Sequence, residues 1–238
     1  MPGVVGVFTA ADLAADNLAP LPCTAVLASV APMIVPPRPT LAIDHVRHLG
    51  EAVALVIATS AEAARDAAEA IEVDYDALPV VIDGASALMS DAPQIWPQAP
   101  GNEAFLFLKG DRAATDAAFA VADHVIGLDL FNNRVHAAPI EPRAALARYD
   151  GGQFELIFTG MGVHGIRRQL ATVFGLPEEA FHLVCPDVGG GFGAKNFLFP
   201  EYVLALWAAR RLGRRIAWQA EPSEEFAAAV HGRDLRAK

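Results

Sequence analysis

One segment constrains this chain more than any other: Val184-Cys185-Pro186-Asp187-Val188-Gly189-Gly190-Gly191-Phe192-Gly193-Ala194-Lys195. Glycines crowded this closely leave backbone amides uncovered, so an anion or an oxo group can approach them. A bulky ring at Phe192 inside such a loop points to the wall of a pocket. Three general readings compete. One is a tight structural loop. A second is a dinucleotide fingerprint, since Gly189, Gly191 and Ala194 satisfy G-x-G-x-x-A after an expected strand. That fingerprint should open a helix at once, to aim its positive end at a pyrophosphate. Here the next helix is expected only at Pro200, and the acidic candidate Glu221 lies beyond the usual spacing of about 20 residues. The third, a Walker loop, lacks the Gly-Lys-Ser/Thr that such a loop requires.

The rest of the chain reads as mixed α and β. Val4 to Phe8 is an expected strand, followed by a helix with Thr9 and Asp12 in capping-box positions. Residues 19–40 are proline-rich and read as loop. Ala52 to Ala58 reads as a buried strand, Ala61 to Ala70 as a helix capped by Ser60, and Ile71 to Tyr75 and Val80 to Ile82 as strands. Residues 84–103, with Pro93, Pro97 and Pro100, read as a linker. Beyond it, a helix is expected at Arg112 to Ala122, and strands at Val125 to Leu130, Ala144 to Tyr149 and Phe154 to Phe158. Asp150-Gly151-Gly152 makes the turn of a hairpin. Ile166, Leu170, Val173 and Phe174 form one apolar stripe on a helix that Gly175 stops. A strand at Phe181 to Cys185, a long helix from Pro200 to Gly213 and a strand at Arg215 to Gln219 complete the reading.

Composition removes some classes of function. Apolar residues are 53% and charged residues 19% of 238, which supplies a core. A net charge of −10 disfavours nucleic-acid binding. Cys23 and Cys185 alone make no disulfide framework and no zinc site. The first residues lack a secretory signature, and no apolar run approaches the roughly 20 residues needed to span a bilayer. A cytoplasmic protein without a membrane partner is therefore expected. His45 and His48 could share a face if helical, but a third metal ligand is not evident, and no metal-ligating residue is assigned. His164 lies in the loop near Met161, and a direct catalytic role is the lesser reading there. For Arg143, internal pairing with a carboxylate leads over contact with an anion. Cys185 is read as a buried small apolar residue.

Asp187-Val188-Gly-Gly-Gly-Phe192-Gly193-x-Lys195 resembles the glycine loop of molybdenum hydroxylase large subunits, the xanthine dehydrogenase, aldehyde oxidase and carbon monoxide dehydrogenase family. The likeness extends in order along nearly the whole chain. Pro139-Ile140-Glu141-Pro142-Arg143-Ala144-Ala145 matches a P-M-E-P-R element, and Gly162-Val163-His164-Gly165-Ile166-Arg167-Arg168 the stretch before a helix. Pro200-Glu201-Tyr202 and His231-Gly232-Arg233-Asp234 keep the spacing. Val46 to Ala54, Val73-Asp74-Tyr75 and Leu78-Pro79 resemble the α/β hammerhead domain of the same subunits.

The resemblance implies an α+β fold: part of a hammerhead domain at 1–83, a linker at 84–103, and the first part of a molybdopterin-binding domain at 104–238. It implies a molybdenum–pterin cofactor, as molybdopterin or its cytosine dinucleotide, contacted by Gly190, Gly191, Phe192 and Gly193. Met161 stands where the family has a glutamine that bonds an oxo ligand, and methionine offers only a weak acceptor there. Pro222 replaces a usual arginine. Asn196 stands where xanthine-specific members carry a glutamate, which favours an aldehyde, a heterocycle or another small molecule over a purine. The implied partners are the rest of the large subunit and iron–sulfur and FAD subunits. The family's general-base glutamate is expected outside this chain, so the chain alone is expected to be inactive. A Rossmann-type nucleotide-binding domain and a non-catalytic assembly piece are the rival expectations.

Overall fold

The computed structural model describes residues 1–25 and 27–238. In chain order the elements are β1 (Val4–Phe8), α1 (Ala10–Ala15), β2 (Leu55–Ala58), α2 (Ala61–Glu69), α3 (Gly84–Ala87), α4 (Arg112–Ala120), β3 (Leu130–Asn132), β4 (Val135–His136), β5 (Ala144–Asp150), β6 (Gln153–Phe158), α5 (His164–Phe174), β7 (Phe181–Val184), α6 (Pro200–Leu212), β8 (Ile216–Gln219), α7 (Pro222–Ala228), β9 (His231–Gly232) and β10 (Leu235–Ala237). They fall into two compact units. The first holds Met1–Pro22, Pro37–Asp76 and His136–His231; the second holds Cys23–Pro36, Ala77–Val135 and Gly232–Lys238.

In the first unit, a four-stranded sheet runs in the order β7-β6-β5-β8. The β5–β6 hairpin turns on Gly151 and Gly152, both at positive φ (56° and 89°), the pairing a tight antiparallel turn requires. β8 joins β5 antiparallel, whereas β7 joins β6 parallel. A parallel neighbour needs a crossover, and α5 supplies it: Ile166, Leu170 and Val173 are buried, and Gly175 ends the helix in the left-handed region.

The other long helix, α6, is buried at every position from Tyr202 to Ala209, so it lies inside the core rather than over it. Ala145, Ala147, Ala205, Ala208 and Ala209 are buried too, small enough for helix and sheet to approach closely. β1 pairs antiparallel with β2, and Phe8 meets Trp207 edge-on at 5.0 Å. At the end of α1, whose capping box at Thr9 and Asp12 forms as expected, Asp16 accepts from Trp207 Nε1 (2.9 Å) and Arg211 (3.0 Å).

The second unit rests on polar side chains more than on a core. Asn102 donates to the carbonyls of Ala87 and Pro93 and accepts from Ile95 N–H, each at 2.9 Å, which ties the proline-rich stretch to itself. Val30 and Ile34 donate to the carbonyls of Leu106 and Ala104. β3 pairs with β10, and Arg134 bonds Asp234 at 2.6 Å. The α4 helix is capped by Asp111 and has no buried residue, so it is not the packing element its alanines imply.

Several expected elements do not form. Ile71 to Tyr75 and Val80 to Ile82 are not strands, and Val73, Tyr75, Val80 and Ile82 are exposed. Val125 to Leu130 yields a strand only from Leu130 onward. Ala52 to Ala58 shortens to Leu55–Ala58, half-buried throughout. Ile71 to Tyr75 and Val80 to Ile82 belong to no sheet among the described residues, so their β-prone side chains have no ladder to complete. His45 and His48 lie outside any helix, so they share no helical face. Among the described residues, no group of three or more His, Cys, Asp or Glu is placed to hold a metal ion, and no helix is long and apolar enough to cross a membrane.

Candidate functional site

Strand register brings the chemistry-bearing segments to one edge of the sheet. Because β6 and β7 are parallel, the chain leaves both at the same end, into Thr159-Gly160-Met161 and into Cys185-Pro186-Asp187. Ala145 pairs with Phe158, so β5 starts at that end, just after Glu141-Pro142-Arg143. Ala144 pairs with Gln219, so β8 finishes there before α7. Ligand sites of sheet proteins favour the region beyond the carboxyl ends of parallel strands.

The glycine run forms an open loop. Gly190 N–H bonds the Val188 carbonyl (2.8 Å), and the amides of Ala194 and Lys195 return to Gly191 O (2.8 and 3.3 Å). Among the described residues, the amides of Gly191, Phe192 and Gly193 donate to no protein acceptor. Positive φ at Gly190 (102°), Phe192 (48°) and Gly193 (83°) turns the chain sharply here.

Met161 reaches the same loop. A Cβ added at Gly191 would lie 2.7 Å from Met161 Cγ and Sδ, so any larger residue there would push that side chain aside. Met161 itself is held from behind. The Thr159 hydroxyl accepts from Ala144 N–H (3.0 Å), the Thr159 carbonyl accepts from Tyr202 (2.7 Å), and Cys185 donates to the Gly160 carbonyl (3.1 Å). Cys185 is therefore a half-buried tie between the ends of β6 and β7, not a buried apolar filler. Burial pushes the Tyr202 phenol well above its usual range, so it stays a donor.

Phe192 is 74% exposed, with its backbone in a region that side chains rarely adopt. Left-handed backbone costs about 1–2 kcal/mol for a residue bearing a Cβ. A Phe192→Gly variant is therefore expected to keep full stability or gain up to about 1 kcal/mol, after the entropy of the added glycine. Urea denaturation checks this; a loss above about 1 kcal/mol would mean that the ring is packed.

The Glu141-Pro142-Arg143 element faces two ways. Glu141 Oε2 accepts from Gly189 N–H (2.8 Å) and from Lys195 Nζ (3.1 Å), and Lys195 Nζ also donates to the Glu141 carbonyl (2.7 Å). Lys195 is only 1% exposed. Burial alone would raise the Glu141 carboxyl, but Lys195 and the Gly189 amide together hold it below the usual carboxylate range. On the other side, Arg143 is fully buried. Its guanidinium bonds Glu225 (2.9 Å) and Glu201 (3.0 Å) and stacks 4.1 Å from the centre of the Phe199 ring. Burial opposes the charge on Arg143, and the two carboxylates outweigh it. Arg143 is an internal anchor, as the leading expectation had it.

The glutamates left without a role in the sequence acquire structural ones: Glu201 and Glu225 hold Arg143, and Glu224 caps α7 by accepting from Glu221 N–H. Pro222 opens that helix, which sequence reasoning did not foresee. His164 begins α5 exposed to solvent, and Asn196 sits in an exposed turn after the loop. The tether from Glu141 to both ends of the glycine run also went unforeseen. Its only signal was a lysine closing a glycine loop, which does not name its partner. The long helix starts at Pro200, separated from the glycines by a 3-10 turn at Ala194–Asn196. No helix opens directly on the glycines as a dinucleotide fingerprint requires, and the nucleotide reading fails for that reason.

Known proteins match the chain along nearly its whole length. Residues 95–238 match the molybdopterin cofactor-binding domain, and residues 1–79 match the aldehyde oxidase and xanthine dehydrogenase a/b hammerhead domain. The carbon monoxide dehydrogenase large chain of Hydrogenophaga pseudoflava is 36% identical over 98% of this chain and 30% of its own length. The 6-hydroxypseudooxynicotine dehydrogenase complex subunit gamma of Paenarthrobacter nicotinovorans is 38% identical over 83% of this chain and 25% of its own. The crystal structure of quinoline 2-oxidoreductase from Pseudomonas putida 86 superposes with a TM-score of 0.84 at 32% identity, covering 99% of this chain and 30% of that one. The chain thus spans about 30% of the length of such relatives. With an α+β fold of hammerhead and molybdopterin-binding parts, it belongs to the molybdopterin-binding large subunits of the xanthine dehydrogenase, aldehyde oxidase and carbon monoxide dehydrogenase family.

Proposed function

We propose that this chain supplies one wall of a molybdenum–pterin pocket in an oxidative hydroxylase, and that it is inactive until the rest of a large subunit completes the pocket. The observation that carries the reading is the set of unpaired amides at Gly191, Phe192 and Gly193 beside Met161. When bound, the molybdenum–pterin group supplies the oxygen-transfer and electron-accepting chemistry.

In this reading the chain's own residues position and enclose. The free amides of Gly191, Phe192 and Gly193 donate to an oxo or other anionic group of the cofactor, and Gly190 shapes the curl that presents them. The exposed ring of Phe192 shields that contact from water. Met161 fills the place beside Gly191 but donates no hydrogen bond, so the amides carry the polar recognition. Residues 1–83 serve as the hammerhead part, 84–103 as the connection, and 104–238 as the first part of the cofactor-binding domain. A small substrate, an aldehyde or a heterocycle, fits Asn196 better than a purine does. Electrons leave to iron–sulfur and flavin partners.

Elemental analysis tests the reading. Molybdenum is expected near one atom per chain when the protein is co-produced with the remainder of a large subunit, and at background when it is produced alone. Background levels in both preparations would overturn the assignment.

A further inference from the structure

We propose that Glu141 and Lys195 are positioning residues that set the shape of the glycine loop and hence its hold on the cofactor; the proposal rests on the pocket-wall reading above. The loop begins at Gly189 and closes at Lys195, and a single carboxylate oxygen of Glu141 bonds both. Between these points the loop has only short internal bonds, Gly190 to Val188 and Ala194 and Lys195 to Gly191. Among the described residues, no residue other than Glu141 ties the two ends of the loop together through hydrogen bonds. The tether is also closely fitted: a Cβ at Gly189 would lie 2.7 Å from Glu141 Cβ.

Glu141 is in turn fixed from behind. Pro142 restricts the backbone beside it. Arg143 is locked to Glu201 on α6 and to Glu225 on α7, and its carbonyl accepts from Ala220 N–H (2.9 Å). The loop is therefore referenced to the core through three consecutive residues. Lys195 extends the same logic. A lysine with 1% exposure is costly unless paired, and among the described residues its ammonium donates to the carbonyl and carboxylate of Glu141 alone. Such an arrangement holds backbone donors in place before any ligand arrives, which is how preorganised sites gain affinity.

The test uses two readouts on Glu141→Ala, Glu141→Gln and Lys195→Met. Hydrogen–deuterium exchange on the chain alone follows the amides of Gly189, Gly190, Ala194 and Lys195. They are expected to exchange at least tenfold faster in Glu141→Ala; in Lys195→Met, which keeps the Gly189 bond, the same is expected of the amides at positions 194 and 195, while amides of β5, β6 and α6 keep their rates. Glu141→Gln keeps an acceptor for Gly189 N–H and should fall between. Molybdenum per chain is then measured in the assembled subunit after gel filtration. A tenfold loss is expected for Glu141→Ala, with partial retention for Glu141→Gln; a merely structural role would not produce that order with the core unchanged. Unchanged loop exchange in both Glu141→Ala and Lys195→Met overturns the tether. Faster exchange with full molybdenum retention overturns the positioning role while the pocket-wall reading stands. A wild-type subunit that holds no molybdenum overturns that reading and the proposal with it. Should Glu141→Ala fail to fold, Lys195→Met, which keeps the Gly189 bond and fills the same volume with an apolar chain, carries both arms.

Discussion

Replacing Arg143 with methionine is expected to cost about 3–5 kcal/mol of stability, the usual range when one partner of a buried charge cluster is removed. The side chain is fully buried, and its carboxylate partners are nearly so, at 12% exposure for Glu201 and 8% for Glu225. Methionine fills the volume but removes the one cation that bonds both carboxylates, leaving Arg38 to act on Glu201 at longer range. Glu224 adds to the strain, since burial and the nearby Glu201 already push its carboxyl upward. Arg143→Lys should recover less than half of the loss. One ammonium cannot reproduce the planar fork that reaches both Glu225 and Glu201 while lying over the Phe199 ring. The triple variant R143M/E201Q/E225Q should regain most of it, because the unpaired charges go too. Urea denaturation at constant m-value reads all three. A loss below about 1 kcal/mol for Arg143→Met would show that the ion pairs are not the anchor the geometry describes.

Much of this anchor's neighbourhood was legible in the sequence, because local rules govern it. The hairpin at Gly151-Gly152, the buried stripe of α5 and the Pro200 and Gly213 boundaries of α6 follow from turn chemistry, period and capping. What failed depends on distant partners. Val80 to Ile82 has a strand's composition, but a strand forms only where an edge is free to pair with it, and sequence does not disclose that edge. The grouping of Cys23–Pro36 with residues near Leu106 rests on contacts such as Val30 N–H to Leu106 O, which leave no periodic trace. The same holds at the site. The glycine loop could be picked out, since only glycine tolerates its backbone so freely. Its neighbour Met161 could be named only by resemblance. Its tether Glu141 could not be named at all, because an ion pair between positions 141 and 195 has no local signature.

That difference makes the Met161–Gly191 contact the sharpest check on the site. Gly191→Ala is expected to destabilise the chain by about 0.5–1 kcal/mol, less than overpacking of a closed core, because the half-exposed Met161 side chain can swing aside. The added Cβ meets Met161 Cγ and Sδ at 2.7 Å, and both atoms must shift. Met161→Ala alone should cost no more than about 0.5 kcal/mol, since the side chain is half exposed. In the Met161→Ala background the clash is gone, so Gly191→Ala should then cost close to nothing, and the cycle closes with a coupling of about 0.5 kcal/mol. Gly190→Ala is the control. Its φ of 102° strains any side chain whether or not Met161 is present, so its cost should be equal in the two backgrounds. Additive values for Gly191 and Met161 would mean that the two do not touch in solution. The loop after β6 and the loop after β7 would then form no common wall, and the free amides at Gly191 to Gly193 would face open solvent instead of a pocket.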